Sequence, residues 1–163
     1  MKNAREKRSQ GPARLSNVPV KTDDMLVGAL LRVPAEAILR RIVRELNEAG
    51  FEGITLAHLA VLRFPGPHGV RPGVLAQRAG MSKQAMNRLL GSLQDLGYLE
   101  RSDIPGEGRA RAVRFTRRGH AVYAQEVEIL RGIENDWIAV LGAKDFSHLK
   151  RLLGRVWNSR LVR

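Results

Sequence analysis

The residues of this chain that carry the most chemistry are amides and guanidines rather than nucleophiles or metal ligands. Ser82, Lys83, Gln84, Asn87 and Arg88 fall close together. On a helix, at about 100° per residue, Gln84, Asn87 and Arg88 share one side. Amide and guanidinium groups make paired hydrogen bonds to adenine and guanine edges in a duplex groove. Ser82 stands where a hydroxyl caps a helix, and a capped helix start offers donors to a phosphate. A second group follows the Gly-rich stretch Ile104-Pro105-Gly106-Glu107-Gly108: Arg109, then Arg111 and Arg114. A thin ribbon tipped with arginine fits a narrow minor groove, where the negative potential is enhanced. Arg101, Arg117 and Arg118 suit phosphate contacts, and Arg71 adds a cation just ahead of the first group.

Other chemistries are poorly supplied. There is no cysteine, so a disulfide scaffold, a thiolate zinc site, an iron–sulfur cluster and a thiol sensor are ruled out. His58, His68, His120 and His148 are dispersed, and no pair has the i, i+4 spacing of a helical metal site. No G-x-S-x-G, P-loop or dinucleotide fingerprint occurs. Catalysis, a metal and a cofactor are therefore not expected, and the histidines read as structural or solvent-facing. The longest uncharged stretch, Gly53 to Leu62, is half the ~20 residues needed to cross a bilayer. Lys2, Arg5, Lys7 and Arg8 are followed by no apolar run, so no secretory signal is expected. These readings predict a cytoplasmic protein, on the nucleoid when bound to DNA.

The charge has a pattern as well as a sum. Lys and Arg number 28 against 16 Asp and Glu, a formal charge of +12 over 163 residues. Residues 53–94 hold five basic and no acidic side chains, although ordinary surfaces mix signs. Residues 1–22 and 101–118 are also strongly basic. Concentrated positive charge attracts polyanions.

The elements that must position these groups follow from apolar spacing and punctuation. Residues 1–22 read as a flexible basic arm. Asp23 or Asp24 is expected to cap a helix through Met25, Leu26, Leu30 and Val33, with Pro34 kinking it or starting a second segment that ends at Gly50. Thr55 to Arg63 reads as a short helix, and Phe64 to Gly69 as a loop. Pro72 opens a helix that Gly80 closes; Ser82 caps the next, which turns Ala85, Met86, Leu89, Leu90, Leu93 and Leu96 inward and ends at Gly97. Tyr98–Asp103 and Arg109–Phe115 read as a hairpin. Thr116 caps a long helix carrying Val122, Val127, Leu130, Ile133, Trp137, Ile138 and Leu141. A last helix carries Phe146, Leu149, Leu152, Leu153, Val156 and Trp157. Aromatics are only 5%, so the core must be aliphatic, and the two tryptophans read as core or dimer packing. Ala76 and Gly80 supply the small residue and the positive-φ turn of a helix-turn-helix.

The run from Leu75 to Leu90, then Leu93-x-x-x-Gly97-Tyr98-Leu99-Glu100-Arg101, then Gly108-Arg109-Ala110-Arg111-Ala112-Val113-Arg114-Phe115-Thr116-x-x-Gly119, resembles the MarR family. The resemblance implies a mainly α fold with a small β-hairpin wing, a winged helix-turn-helix flanked by long N- and C-terminal dimerisation helices. It implies a dimerisation region at 23–50, a DNA-binding domain at 51–118 and C-terminal dimerisation helices at 119–163. The recognition helix would start at Ser82, with Lys83, Gln84, Asn87 and Arg88 facing the major groove. The wing arginine would be Arg109, with Glu107 as its acidic neighbour. Members act as homodimers on pseudo-palindromic operators, often released by small ligands, and the helix carrying His58 would help wall the ligand pocket. The chain departs from the pattern in a longer Pro/Gly-rich connection before Pro72, in Arg71 where the family often has Thr or Ser, and in a less acidic wing tip.

The expected function is thus sequence-specific binding of double-stranded DNA by a transcription regulator, a homodimeric repressor with a small-molecule effector. The competing readings are a non-specific nucleic-acid-binding architectural protein and a winged-helix interaction module without nucleic acid. Gln84 and Asn87 weigh against the first, because amides serve base reading better than phosphate neutralisation. The acid-free stretch 53–94 weighs against the second.

Overall fold

The computed structural model describes residues 21–62, 69–103 and 111–160. The chain runs α1 (Val27–Glu48), α2 (Leu56–Leu62), α3 (Pro72–Arg78), α4 (Lys83–Asp95), β1 (Leu99–Asp103), β2 (Arg111–Phe115), α5 (Arg117–Leu141) and α6 (Ala143–Trp157). β1 and β2 pair antiparallel, with Leu99 opposite Phe115 and Glu100 opposite Arg114. Val70 joins the ribbon from outside, exchanging two backbone bonds of 2.9 Å with Val113. That one-residue bridge has no period-two pattern, so the sequence did not announce it. The fold is the expected mainly α arrangement with a hairpin.

Three helices end in the same way. In α1, α3 and α4 the amide two residues past the cap donates to the carbonyl three residues before it: Phe51 to Leu46, Met81 to Ala76 and Tyr98 to Leu93. This closing motif turns the chain sharply and delivers an apolar residue back to the core. It needs a left-handed residue in between, and between α3 and α4 that is Gly80 at φ +61°.

The core is aliphatic and continuous from α1 to α5. Ile42 and Leu46 of α1 meet Leu59 and Leu62 of α2, Leu75 of α3, Met86, Leu90 and Leu93 of α4, and Val122, Ile129 and Ile133 of α5. Tyr98 is its largest fully buried side chain; its hydroxyl donates to the Glu52 carbonyl at 3.0 Å.

Several expectations are corrected. Neither Asp23 nor Asp24 caps α1. Both lie in a turn closed by Met25 N–H to the Thr22 carbonyl, and the cap position falls to Leu26, without a side-chain bond. Pro34 starts no new segment, and α1 runs unbroken through it. Proline deprives the Leu30 carbonyl of its donor, which is tolerable because this part of α1 faces solvent. The buried stripe of α5 is Gly119, Val122, Glu126, Ile129 and Ile133, whereas Leu130 and Leu141 are exposed. Glu126 hides the stripe from a hydrophobicity count. In α4, Ala85, Leu89 and Leu96 are only half-buried. Trp137 packs against the core, but Trp157 is 67% exposed and has no part in it.

Candidate nucleic-acid interface

The helix-turn-helix is built from its caps outward. Pro72 opens α3, and Ala76, buried, lets α4 approach. Gly80 makes the turn. The Ser82 hydroxyl then accepts the Ala85 N–H at 3.1 Å, starting α4 as expected. Met86, Leu90 and Leu93 fix the inner face of α4 in the core. That leaves Lys83, Gln84, Asn87 and Arg88 exposed on the outside, together with Ser82.

The ribbon is anchored at its base by Thr116. Its hydroxyl donates to the Gly97 carbonyl at 2.6 Å and accepts the Gly119 N–H at 3.1 Å, so one side chain ties the end of α4 to the start of α5. Gly119 sits so close to the ribbon that a Cβ there would lie 2.1 Å from the Tyr98 carbonyl oxygen.

The predicted arginines divide. Arg101 is exposed and donates through Nε to Oε1 of Gln94 at 3.1 Å. Arg114 is exposed but pairs with Glu100, its cross-strand partner, at 2.7 Å. Arg111 stands opposite Asp103 in the register. Arg71 is exposed at the cap position of α3, makes no cap bond there, and has a contact of its own. Arg109 and Glu107 lie outside the described residues. Arg117 is exposed. Arg118 is exposed too, but its guanidinium is engaged within the fold: it lies 5.0 Å over the Tyr98 ring and donates to the Tyr98 hydroxyl at 3.3 Å and the Gly50 carbonyl at 3.4 Å. A cation two residues into a helix looks like a dipole misfit in sequence, and only the fold reveals the ring beneath it.

His58 is buried, and its Nδ1 accepts the Thr55 N–H at 3.2 Å, making the ring a cap for α2. Burial lowers its pKa, partly offset by a hydrogen bond to the Gly53 backbone. It lines a groove of about 480 Å³ between α2 and α4 with Met81, Ser82, Ala85, Arg88, Leu89 and Ser92. Among the described residues no His, Asp or Glu cluster could hold a metal. No described helix is long and apolar enough to cross a membrane.

A helix-turn-helix with a polar outer face, followed by a two-stranded ribbon pinned to its end, defines a winged helix-turn-helix protein. Residues 52–110 match the model of the MarR family. The HTH-type transcriptional repressor Rv2887 of Mycobacterium tuberculosis is 29% identical over 131 residues, covering 80% of this chain and 87% of that protein. The HTH-type transcriptional regulator PecS of Dickeya dadantii is 29% identical over 133 residues, covering 81% and 80%. A solved structure of the M. tuberculosis MarR family protein Rv2887 with salicylic acid superposes with a TM-score of 0.62 at 27% identity, covering 83% of this chain and 99% of that one. Apo MarR from E. coli shares the fold, with a TM-score of 0.69 at 23% identity over 82% of this chain and 98% of its own. The segment 52–110 thus matches the MarR family, and over about four fifths of its length the chain is similar to transcription regulators of that kind.

Proposed function

We propose that this chain is a sequence-specific, double-stranded DNA-binding transcription regulator, a homodimeric repressor of a pseudo-palindromic operator that a small ligand releases. The observation that carries the reading is the outer face of α4, where Lys83, Gln84, Asn87 and Arg88 are exposed while the opposite face is locked in the core. In this reading α4 enters the major groove, Arg109 of the wing reaches the flanking minor groove, and Arg71, Arg101 and Arg111 meet the backbone. Arg114 contributes less, because Glu100 already neutralises it. The arm 1–22 adds non-specific affinity. The names of the relatives, a repressor and a regulator, support transcriptional control rather than catalysis. The exposed apolar faces of α1 and α6 support a second copy. The salicylic acid complex of the relative Rv2887 supports an effector.

Selection from a genomic fragment pool, at near-physiological salt with excess competitor, tests the reading. The expected product is a pseudo-palindrome with half-sites about 10 bp apart. Gln84→Ala and Asn87→Ala are expected to relax the recovered consensus while keeping most non-specific affinity. Recovery without any motif would instead favour the architectural reading, which the +12 charge would suit. No recovery at all would turn the search to RNA or protein partners.

A further inference from the structure

Two exposed arginines on the ribbon are treated differently, and the difference points to a residue outside the recognition face. Glu100 and Arg101 are neighbours in sequence, so strand alternation sends them to opposite faces. Glu100 pairs with Arg114 on its own face. Arg101 lies on the face that turns toward α4 and is held there by Gln94, in the last turn of that helix. The bond uses Nε alone and leaves both Nη groups outside it. A carboxylate at 94 would orient the arginine equally well but cancel its charge. An amide carbonyl orients it and leaves the full positive charge at the surface.

We propose that Gln94 is a positioning residue for DNA binding: it clasps Arg101 at the junction of recognition helix and wing, so that the guanidinium meets a backbone phosphate with its side-chain entropy already spent and its charge intact. The inference rests on the DNA-binding reading above. The clasp also couples wing to helix, since one partner belongs to β1 and the other to α4.

The test is the salt dependence of binding to a random-sequence duplex of about 30 bp, which needs no knowledge of an operator. Each phosphate contact contributes about 0.9 to the slope of log affinity against log salt. Arg101→Ala is expected to lower that slope by about one per protomer and to weaken binding uniformly across sequences. Gln94→Glu, which keeps the clasp but neutralises it, is expected to reproduce the slope change although it leaves Arg101 in place. Gln94→Ala is expected to weaken binding about two- to threefold with the slope unchanged, because the charge remains and only its placement is lost. In the Arg101→Ala background, Gln94→Ala should have no further effect. Both side chains are at the surface, so thermal unfolding should not move in any variant, which separates positioning from folding. If the wild-type chain binds duplex and Arg101→Ala keeps the full slope, or Gln94→Glu behaves as wild type, the clasp has no role and the proposal fails alone. If the wild-type chain does not bind duplex even at low salt, the function reading falls and takes the proposal with it.

Discussion

The helix-turn-helix with its ribbon and the two terminal helices are opposite kinds of structure. In the first, α3 and α4 both end in closing turns, and most of the apolar residues that periodicity predicts are inside. Leu75, Met86, Leu90, Leu93 and Val113 are all fully buried. In the second, the helices are long and regular but many of their apolar side chains are bare: Val27 of α1 is 70% exposed and Val33 53%, and Leu152, Val156 and Trp157 line the open side of α6. Exposed apolar patches of this kind mark interaction surfaces, which the proposed second copy would cover. One region is finished within a single chain, and the other reads as half of an interface. α5 belongs to both, packing Val122 and Ile129 into the core before running out beyond it.

Substitutions can break this contrast, and the largest effect is expected in the finished region. The Cβ of Gly119→Ala would lie 2.1 Å from the Tyr98 carbonyl oxygen and 2.7 Å from Cδ1 of Phe115. That oxygen accepts the Thr116 N–H at 3.2 Å, so it cannot retreat without opening the base of the ribbon. Gly119→Ala is expected to cost about 3 kcal/mol or more in urea unfolding, despite alanine's better helix propensity. Gly91→Ala, inside α4 with nothing within 4 Å of its Cβ, is the control and should gain up to about 1 kcal/mol. Equal responses at the two positions would show that the ribbon base is not the tight junction described.

The unfinished region should respond in assembly rather than in folding. Leu153 closes one end of an apolar groove of about 240 Å³ between α1, α5 and α6, which also includes Ile38 and Trp137. Val156, one turn on, is half exposed. Charging both (Leu153→Asp with Val156→Asp) is expected to weaken self-association by about 2 kcal/mol or more, roughly 30-fold in Kd. Sedimentation should then show the variant as an 18.2 kDa monomer at concentrations where the wild-type chain is twice that mass, with helix content by circular dichroism retained. A wild-type monomer at tens of micromolar would remove the dimer from the function reading.

The two regions also differ in how much of them the sequence revealed. Ser82, Thr116, Pro72 and Gly80 could be read directly, because caps and turns are local chemistry with few alternatives. The polar face of α4 followed from the same periodicity that located its core. What stayed hidden was non-local. The Val70 bridge depends on where β2 ends up, and the placement of Arg118 over the Tyr98 ring depends on α1, α4 and α5 meeting. The Gln94–Arg101 bond joins residues seven apart across a change of secondary structure, where no spacing rule applies. In the terminal helices the apolar stripes were legible, but which positions are covered was not. Periodicity reports that a face is apolar, not whether its partner is the same chain or another. The caps predicted at Asp23 and Asp24 failed for a related reason: a turn at Thr22–Met25 competes for the same segment.

The smallest predicted effect lies at the seam between α2 and α4, where burial sets the charge of His58. In an unfolded chain the ring titrates near pH 6.5, to within about a unit. In the fold, burial lowers that value, and the Nδ1 that accepts the Thr55 N–H must be unprotonated. Above about pH 7 both states carry a neutral ring, and His58 adds no pH dependence. Below about pH 6.5 the unfolded chain takes up the proton first, so stability declines as pH falls until the folded ring's lower value is passed. Protonation in the fold also takes the acceptor from Thr55 and sets a cation in the groove that Arg88 lines. The melting temperature is therefore expected to be flat from pH 8 to about pH 7 and to fall as the pH drops below about 6.5. In His58→Gln, whose side-chain carbonyl can still accept at any pH, most of that fall should disappear. Identical slopes in the two proteins would assign the acid sensitivity to another group and leave His58 as a cap alone.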